Sequence, residues 1–391
     1  MSSVEHSTRA HALLSASGAS RWMNCTPSAR LEEKFDESST STFAAEGTLA
    51  HEFGDVNLRF KNGEITEKTL NSELKKLRKD KNYNDEMEGE VDKYVEIVME
   101  AFAVAKARNP DAKLRIEERI DFSHLVEKGF GTGDVCIVAD GFLDVIDLKY
   151  GKGVKVDADN NPQLMLYGSG ALRIFEMMYN IHTVNLVIVQ PRLDHLSEWK
   201  ISTEKLIEWG EKEVKPKAAK AYQGKGLQKA GDHCKWCKVK AMCATLAAKN
   251  VKLAQHDFKD PPLLTESQVI EVYKQQPMLV DWVNSVAKYL LDEAVKGKKW
   301  PGLKLVEGRS NRKWSDEVKV KETLTDNLFD EKDFTTTKLQ GITAVEKLVG
   351  KSEFTTILGS LVIKPQGKPT LVPMSDKCPA MGIEQAKEDF K

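Results

Sequence analysis

Apolar residues recur every three to four positions in several stretches of the chain, as they do on the buried face of a helix. Residues 84–107 carry the clearest stripe, a second stretch starts near Pro162 with an asparagine cap before it, and a third covers residues 267–295. The pattern predicts amphipathic helices in all three, and further helices over residues 13–35 and 42–60. The apolar stripe of the first is Val91, Tyr94, Val95, Val98, Met99 and Phe102.

Between the first two of these helices the apolar period changes from about four to two. Residues 114–120, "LRIEERI", alternate as a half-buried strand does, and residues 133–149 are typical of two strands joined at an Asp-Gly turn. Residues 184–191, "VNLVIVQP", form a continuous apolar run of the kind that is buried in a sheet. The order of helix, three antiparallel strands, helix and strand predicts an α/β fold with helices packed on a sheet.

The length of 391 residues favours a main domain and a second, smaller one. A polar, lysine-rich insertion covers residues 61–85, and a polar break, "AQHDFKDPPLLTE", falls at residues 254–266. The predicted domains are therefore residues 1–250 and a C-terminal helical and mixed region, residues 251–391, to which the sequence assigns no role.

Composition and charge bound the class of protein. Hydrophobic residues make up 41% of the chain and charged residues 30%, as in ordinary globular domains, and the net charge of -1 indicates no partner. Residues 215–240 are the one locally basic stretch, with eight lysines and a single acid, Asp232. No apolar run approaches the roughly 20 residues of a membrane span, and the N-terminus has no secretory core. A cytoplasmic protein without a membrane partner is expected.

Residues 131–153, "GTGDVCIVADGFLDVIDLKYGKG", keep acids and a lysine among buried apolar positions. A two-residue turn at the Asp-Gly dipeptide would pair Asp134 with Asp147, and Asp147 and Lys149 share a face because strand residues alternate. Carboxylates are preferred ligands of Mg²⁺ and Mn²⁺, and a lysine beside such a metal can polarise an attacking water. The group predicts metal-assisted phosphodiester hydrolysis. The alternative is a surface salt bridge, which is what a bare D-x-K motif more commonly forms.

Two further features favour the catalytic interpretation. Gln163 and Tyr167 are four residues apart, so they lie on one face of the predicted helix, where both can face the lysine or a DNA backbone. His51, in "EGTLAHEF", lies on a predicted helix that can bring an imidazole to the metal. Taken singly, each of these residues is more commonly an ordinary structural residue.

Six cysteines are too few and too unevenly spaced for a disulfide framework. Three of them, Cys234, Cys237 and Cys243, lie within ten residues in "HCKWCKVKAMC", which favours a metal site. A fourth ligand is required. His233 suits zinc, although it directly precedes Cys234, and Cys25 suits an iron-sulfur cluster.

Together, these motifs resemble the RecB-type PD-(D/E)xK nucleases. They are similar to the iron-sulfur branch of that family, as in AddB and the CRISPR-associated RecB-like exonucleases, and to phage-encoded exonucleases related to RecB. The resemblance covers about residues 10 to 250. It rests on His51, "GTGD" ending at Asp134, "DLK" from Asp147 to Lys149, "QLMLY" from Gln163 to Tyr167, and one cysteine before this core with three after it.

The resemblance implies a fold, an activity and partners. The fold is α/β, a restriction-endonuclease-like core with a central mixed sheet flanked by helices, an iron-sulfur staple and a smaller C-terminal α+β region. The activity is that of a DNA exonuclease dependent on Mg²⁺ or Mn²⁺, acting in phage recombination, replication or repair in the host cytoplasm. The partners are DNA and a single-strand-annealing or single-strand-binding protein.

The resemblance also implies roles for individual residues. His51, Asp134 and Asp147 would hold the divalent metal together with the Leu148 carbonyl, and Lys149 would be the catalytic lysine. The residues that support the active site and the DNA would be Gln163 and Tyr167. The ligands of a [4Fe-4S] cluster that staples the N-terminal segment to the end of the domain would be Cys25, Cys234, Cys237 and Cys243.

Several residues have no counterpart in this resemblance. Glu117 and Glu118 are either groups behind the site or strand-surface charges, and Cys136 is interpreted as packing beside the site. Asp144 falls on the opposite face of its strand and is interpreted as a solvated charge. Candidate DNA contacts, with a solvated basic surface as the alternative, are Lys215, Lys217, Lys220, Arg309 and Arg312.

Two other classes of function stay open. A nucleic-acid-binding or scaffold protein could keep the nuclease fold and use residues 215–240 on phosphate backbones. A zinc module whose strand acids are incidental is the other. The two acids and the lysine favour the nuclease, because a pure binder has no need of two carboxylates where a polyanion must approach.

Overall fold

A computed structural model describes residues 12–33, 42–254, 265–303 and 350. These residues form a mixed α/β fold in which helices flank a five-stranded sheet. The strands are β1 Lys113–Asp121, β2 Phe130–Ala139, β3 Gly141–Leu148, β4 Ile181–Gln190 and β5 His195–Ser202. The helices are α1 Ala19–Asn24, α2 Ser28–Glu32, α3 Thr42–Lys61, α4 Glu67–Leu77, α5 Asp85–Arg108, α6 Pro162–Phe175, α7 Thr203–Trp209, α8 Lys215–Tyr222, α9 Ala244–Ala254 and α10 Glu266–Val295.

The strands lie in the order β1-β2-β3-β4-β5. The first three pair antiparallel, β4 joins β3 in parallel through the crossover helix α6, and β5 pairs antiparallel with β4. The predicted central mixed sheet flanked by helices is therefore confirmed. The predicted hairpin is also confirmed, since Ala139 faces Phe142 across a turn in which Gly141 has a φ of 97°.

Two hydrophobic clusters cover the two faces of the sheet. On one face, α3 and α5 pack against the cluster that contains Val135, Ile137, Ile146 and Leu148. On the other face, α1, α6 and α8 pack against a cluster that contains Cys136. Cys136, which the sequence suggested packs beside the site, lies in this core cluster. The hairpin is held between two apolar layers, which keeps its polar end rigid.

The helices predicted from residues 84–107, Pro162 and 267–295 correspond to α5, α6 and α10. The single helix predicted over residues 13–35 is wrong in extent, because the chain forms two short helices, α1 and α2, with Cys25 between them. Pro27 has no N–H to continue α1 and instead stands at the start of α2. This break places Cys25 at a turn.

Asp144 is not the solvated charge that the sequence suggested. It lies opposite Ile137 and beside Asn185 in the sheet, and burial raises the pKa of its carboxyl to about 6. The Asn185 side chain offsets part of that effect by hydrogen bonding to it. Asp144 and Asp147 are three residues apart on β3, so alternation places their side chains on opposite faces of the strand, as predicted.

The chain divides into two compact units, Met1–Tyr289 and Leu290–Lys391. All the candidate site residues that the structure describes lie in the first unit. Arg309 and Arg312 lie outside the described residues. Across the described ranges, no helix is both long enough and apolar enough to span a membrane.

The close packing of α6 on β1 gives a test of the fold. A methyl group at Gly170 would overlap Ile120 Cγ2 and would lie 2.8 Å from the Asp121 carbonyl oxygen. Gly170→Ala should therefore lower the free energy of unfolding by about 1–3 kcal/mol in urea titrations. Gly47→Ala, in α3 with no atom within 4 Å of the added methyl, is the control and should be neutral or slightly stabilising. Equal stabilities would contradict this packing.

Candidate active site

The hairpin brings the two predicted aspartates side by side. Its register runs from Ala139 opposite Phe142 to Val135 opposite Ile146, and the next residues outward are Asp134 and Asp147. The Leu148 N–H donates a hydrogen bond of 2.7 Å to Asp134 Oδ2, which fixes that carboxylate against β3. Leu148 thus reaches the site through its backbone N–H, while the role of its carbonyl stays a prediction.

Asp147, Lys149 and Gln163 form a closed ring of polar contacts. Lys149 Nζ lies 2.7 Å from Asp147 Oδ2 and donates a 3.0 Å hydrogen bond to Gln163 Oε1. Gln163 Nε2 completes the ring with a 3.0 Å hydrogen bond to Asp147 Oδ1. Asp147 is only 3% exposed, and its Oδ2 accepts no well-aligned hydrogen bond despite the nearby ammonium. A carboxylate oxygen has two lone pairs, so Asp147 Oδ2 can accept a further cation beside its ion pair with Lys149.

The start of α6 places Gln163 in this ring. The Asn161 side chain accepts hydrogen bonds from the backbone N–H groups of Gln163 and Leu164, which caps the helix. Tyr167 follows one turn later and packs against Gly131, where an added methyl would lie 2.8 Å from the Tyr167 ring. Burial, followed by the charge of Asp147, raises the pKa of the Tyr167 hydroxyl, so Tyr167 is a neutral hydroxyl group at the site.

His51 and Glu117 approach Asp134 from α3 and β1. His51 Nδ1 lies 3.2 Å from Asp134 Oδ1. The ligand atoms of His51, Glu117 and Asp134 all lie within 4.8 Å of one another, and no other such group of three is found in the described ranges. Glu117, whose role the sequence left open, is therefore part of the site.

A distortion of β1 brings Glu117 to the site. Ile116 packs in the cluster under α3 and α5, whereas Ile120 packs on the opposite face, although strict alternation would place both on one face. The face changes at Glu117, which has a φ of 51°, a conformation that costs free energy for a residue with a side chain. Gly133, which pairs with the next residue, Glu118, leaves room for Ile120, since a methyl there would lie 2.6 Å from Ile120 Cδ1.

The electrostatics of the site show crowded negative charge. Burial acts to lower the pKa of His51, but the adjacent Asp134 carboxylate raises it to about 9 overall. Burial and then the charge of Asp134 raise the pKa of Glu117 to about 7. Burial also raises the pKa of Asp147. A divalent cation would relieve this repulsion between neighbouring carboxylates.

The four predicted cysteines line one small cavity. Cys25 comes from the turn between α1 and α2, and the other three come from the segment that follows α8. His233 lines the same cavity, but its Nε2 is hydrogen bonded to the Lys229 carbonyl at 2.8 Å. None of the four cysteines is in a disulfide. The fold thus brings together residues that lie roughly two hundred positions apart in the chain.

The predicted DNA contacts in α8 are partly neutralised. Lys215 pairs with Glu211 at 2.8 Å and Lys217 with Glu213 at 2.5 Å, because each acid lies one helical turn earlier. Lys220 is exposed, and no ion pair is found for it within the described part of the chain. The basic charge of the stretch is therefore smaller at its start than the sequence suggested.

A family described as "Protein of unknown function (DUF2800)" matches residues 11–379. The chain belongs to this family. The DUF2800 match includes His51, the hairpin, α6 and all four cavity cysteines, so both groups of candidate residues lie within it. A solved structure described as "Crystal structure of SSO0001" is similar at 14% identity, over 56% of this chain and 95% of that chain, with a TM-score of 0.22. A score this low does not establish a shared fold.

Proposed function

We propose that this chain is a metal-dependent deoxyribonuclease of the RecB-type PD-(D/E)xK class that degrades DNA from its ends. The observation that carries the proposal is the half-buried ring of Asp147, Lys149 and Gln163 beside Asp134, in which Asp147 itself is buried. A surface salt bridge would be exposed and would have no need of a second carboxylate beside it. Burying several acids together costs free energy unless a cation offsets their desolvation and mutual repulsion.

The residues at the site fit a divalent cation. Asp147 Oδ2 is buried without an aligned donor, and the ligand atoms of His51, Glu117 and Asp134 converge within 4.8 Å. The cation would be held by His51, Asp134 and Asp147 with the Leu148 carbonyl, and Glu117 is a further carboxylate within reach. When bound, Mg²⁺ or Mn²⁺ would supply a nucleophilic water and neutralise charge on the phosphate.

The chain's own residues would orient the reaction. Burial acts to lower the pKa of Lys149, but Asp147 raises it overall, so Lys149 stays a cation. Held by Asp147 and Gln163, its ammonium can donate hydrogen bonds to a phosphate oxygen and to the attacking water. The Leu148 N–H and His51 hold the Asp134 carboxylate, so the charged groups are positioned before substrate binds.

We also propose that Cys25, Cys234, Cys237 and Cys243 bind a [4Fe-4S] cluster. A single tetrahedral zinc with four thiolates would draw the sulfurs to roughly 3.8 Å from one another. No three cysteine sulfurs in the described ranges lie within 4.8 Å of one another, so they do not already form such a zinc site. What supports the cluster is that all four cysteines line one cavity, since four thiolates are the usual ligand set of a [4Fe-4S] group. Burial raises the pKa of the Cys237 thiol to about 12, so cluster binding would release that proton.

The test is a nuclease assay on purified, iron-loaded protein. End-labelled linear single- and double-stranded DNA should be degraded with Mg²⁺ or Mn²⁺ and should stay intact with EDTA. Covalently closed circular DNA should survive, because an exonuclease needs an end. Linear DNA that stays intact with both Mg²⁺ and Mn²⁺ would overturn the proposal. Cleavage of circular DNA as fast as linear DNA would overturn the exonuclease assignment.

A further inference from the structure

The cysteine segment, residues 229–243, has an inner and an outer side. Cys234, Cys237 and Val239 are buried. Between them Lys235, Trp236 and Lys238 are exposed, and Trp236 is 68% exposed. Tryptophan is highly buried on average in globular proteins, so this exposure is unusual. The cysteines thus face the cavity while an aromatic ring and two cations face outward.

The backbone beneath this outer side is held by side chains. Lys240 Nζ donates to the Lys235 carbonyl at 2.8 Å and also pairs with Asp281 of α10. Arg21 Nη1 donates to the Trp236 carbonyl at 3.4 Å. Glu32, which pairs with Arg21 at 2.8 Å, accepts a 2.8 Å hydrogen bond from the Lys238 N–H.

These contacts come from α1, α2 and the start of the following 3-10 turn, and they fix three neighbouring backbone groups. Little conformational entropy would therefore be lost when a ligand binds to the outer side. A rigid support of this kind is what a contact surface needs, and an unstructured basic loop does not have it.

The contacts distinguish Trp236 from the other aromatic residues of the basic stretch. The Arg30 guanidinium carbon lies 4.9 Å from the centroid of the Tyr222 ring. The His233 ring is hydrogen bonded to a backbone carbonyl. Among the ring contacts of the described residues, the one to Trp236 is from the Lys235 ammonium, at 5.3 Å. At 68% exposure, the indole ring is accessible to a planar ligand.

The lysines beside it differ from those lysines of the stretch that form ion pairs. Lys215, Lys217 and Lys240 pair with carboxylates. Within the described ranges, no carboxylate pairs with Lys235 or Lys238, both of which are exposed. An aromatic ring between two unpaired ammonium groups is complementary to a base between two phosphates.

We propose that Lys235, Trp236 and Lys238 form a contact surface for single-stranded DNA. One unpaired base stacks on the Trp236 ring, and the two ammonium groups contact the flanking phosphates. The choice of DNA rests on the proposed nuclease function. The cysteine segment is then a substrate-binding element as well as a structural one.

The first test measures binding without cleavage. In the Asp147→Asn background, adding Trp236→Ala should weaken binding of a labelled oligothymidylate about tenfold in fluorescence anisotropy, since one stacked base contributes on that scale. Trp236→Phe should retain most of the affinity because it keeps an aromatic face. Leu227→Ala, at an exposed apolar residue of the neighbouring loop that is 89% exposed, is the matched control and should bind as the background protein does.

The second test measures charge. Lys235→Gln/Lys238→Gln should reduce the slope of log affinity against log salt by about 1.4, because each phosphate contact on a single strand contributes roughly 0.7. Lys75→Gln/Lys79→Gln, which removes the same charge at exposed positions in and after α4, should leave the slope unchanged.

Three results would overturn the contact surface: an unchanged affinity in Trp236→Ala, an equal loss of affinity for blunt duplex, or no binding of oligothymidylate by the background protein. Iron content and circular dichroism of each variant confirm that the segment is intact. The two proposals fail separately. Wild-type protein that binds the oligonucleotide at Trp236 without cleaving DNA would overturn only the nuclease, and cleavage with unchanged binding in Trp236→Ala would overturn only the surface.

Discussion

Asp147→Asn and Lys149→Met should each reduce the rate of DNA cleavage by about a hundredfold to a thousandfold. The measurement is the single-turnover rate on end-labelled linear DNA. Asp147→Asn keeps the shape of the side chain but removes a charged metal ligand and the ion-pair partner of Lys149. Lys149→Met removes the ammonium that would stabilise charge on the phosphate, and the loss of one such donor commonly costs that much. Both effects should persist at saturating metal and DNA.

A double variant separates catalysis from folding. Lys149→Met alone leaves Asp147 buried without its partner, so it should lower the free energy of unfolding. Asp147→Asn/Lys149→Met removes both charges and should recover most of that stability while remaining inactive. Asp144→Asn, on the same strand but beside Asn185, is the matched control and should cleave at the wild-type rate. Recovery of activity together with stability would show that the pair is structural only.

The positions of Asp147, Lys149 and Gln163 in the ring of polar contacts follow from local sequence patterns. Alternation along β3 places Asp147 and Lys149 on one face, and the Asp-Gly turn sets the register that brings Asp134 beside them. An asparagine cap fixes where α6 begins, and hence where Gln163 points. Each rule acts over a few neighbouring residues, which is why these positions could be predicted.

Glu117 could not be predicted in this way. Ile116 and Ile120 are both consistent with one continuous strand, and nothing in their spacing indicates that the face changes between them. The change depends on a strained backbone at Glu117 and on the space left by Gly133 on the neighbouring strand. The two glycines of "GTGD" are the one signal in the sequence, because glycine within a strand commonly marks a distortion or a close approach.

The remaining differences also arise from contacts between distant or unlike elements. β5 is an edge strand with polar residues on both faces, so the sequence shows little apolar alternation there. The strand is recognised from its pairing with β4. The charges of Lys215 and Lys217 depend on acids that lie just outside the stretch counted as basic. Counting charges along a segment therefore overstates its basicity when acids one turn away lie on the same helix face.

Cys25→Ser should release most of the iron and lower the free energy of unfolding by roughly 3–5 kcal/mol, on the scale of a cross-link that closes a very long loop. Cys25 is the informative position because it is the one cysteine of the four that comes from the N-terminal helices, whereas the other three belong to the cysteine segment. Iron analysis, the broad visible absorbance of anaerobically purified protein and urea unfolding measure the two effects.

The matched control for this variant is Cys136→Ala, in which a cysteine is removed from the core and not from the cavity. It should keep its iron and its absorbance, and it should lose only the stability expected from a small packing defect. Stoichiometric zinc and no iron in the wild-type protein would contradict the proposed [4Fe-4S] cluster and would indicate a zinc site. Full iron content in Cys25→Ser would instead show that the N-terminal helices dock without the cluster, through contacts such as the one between Glu32 and the Lys238 N–H.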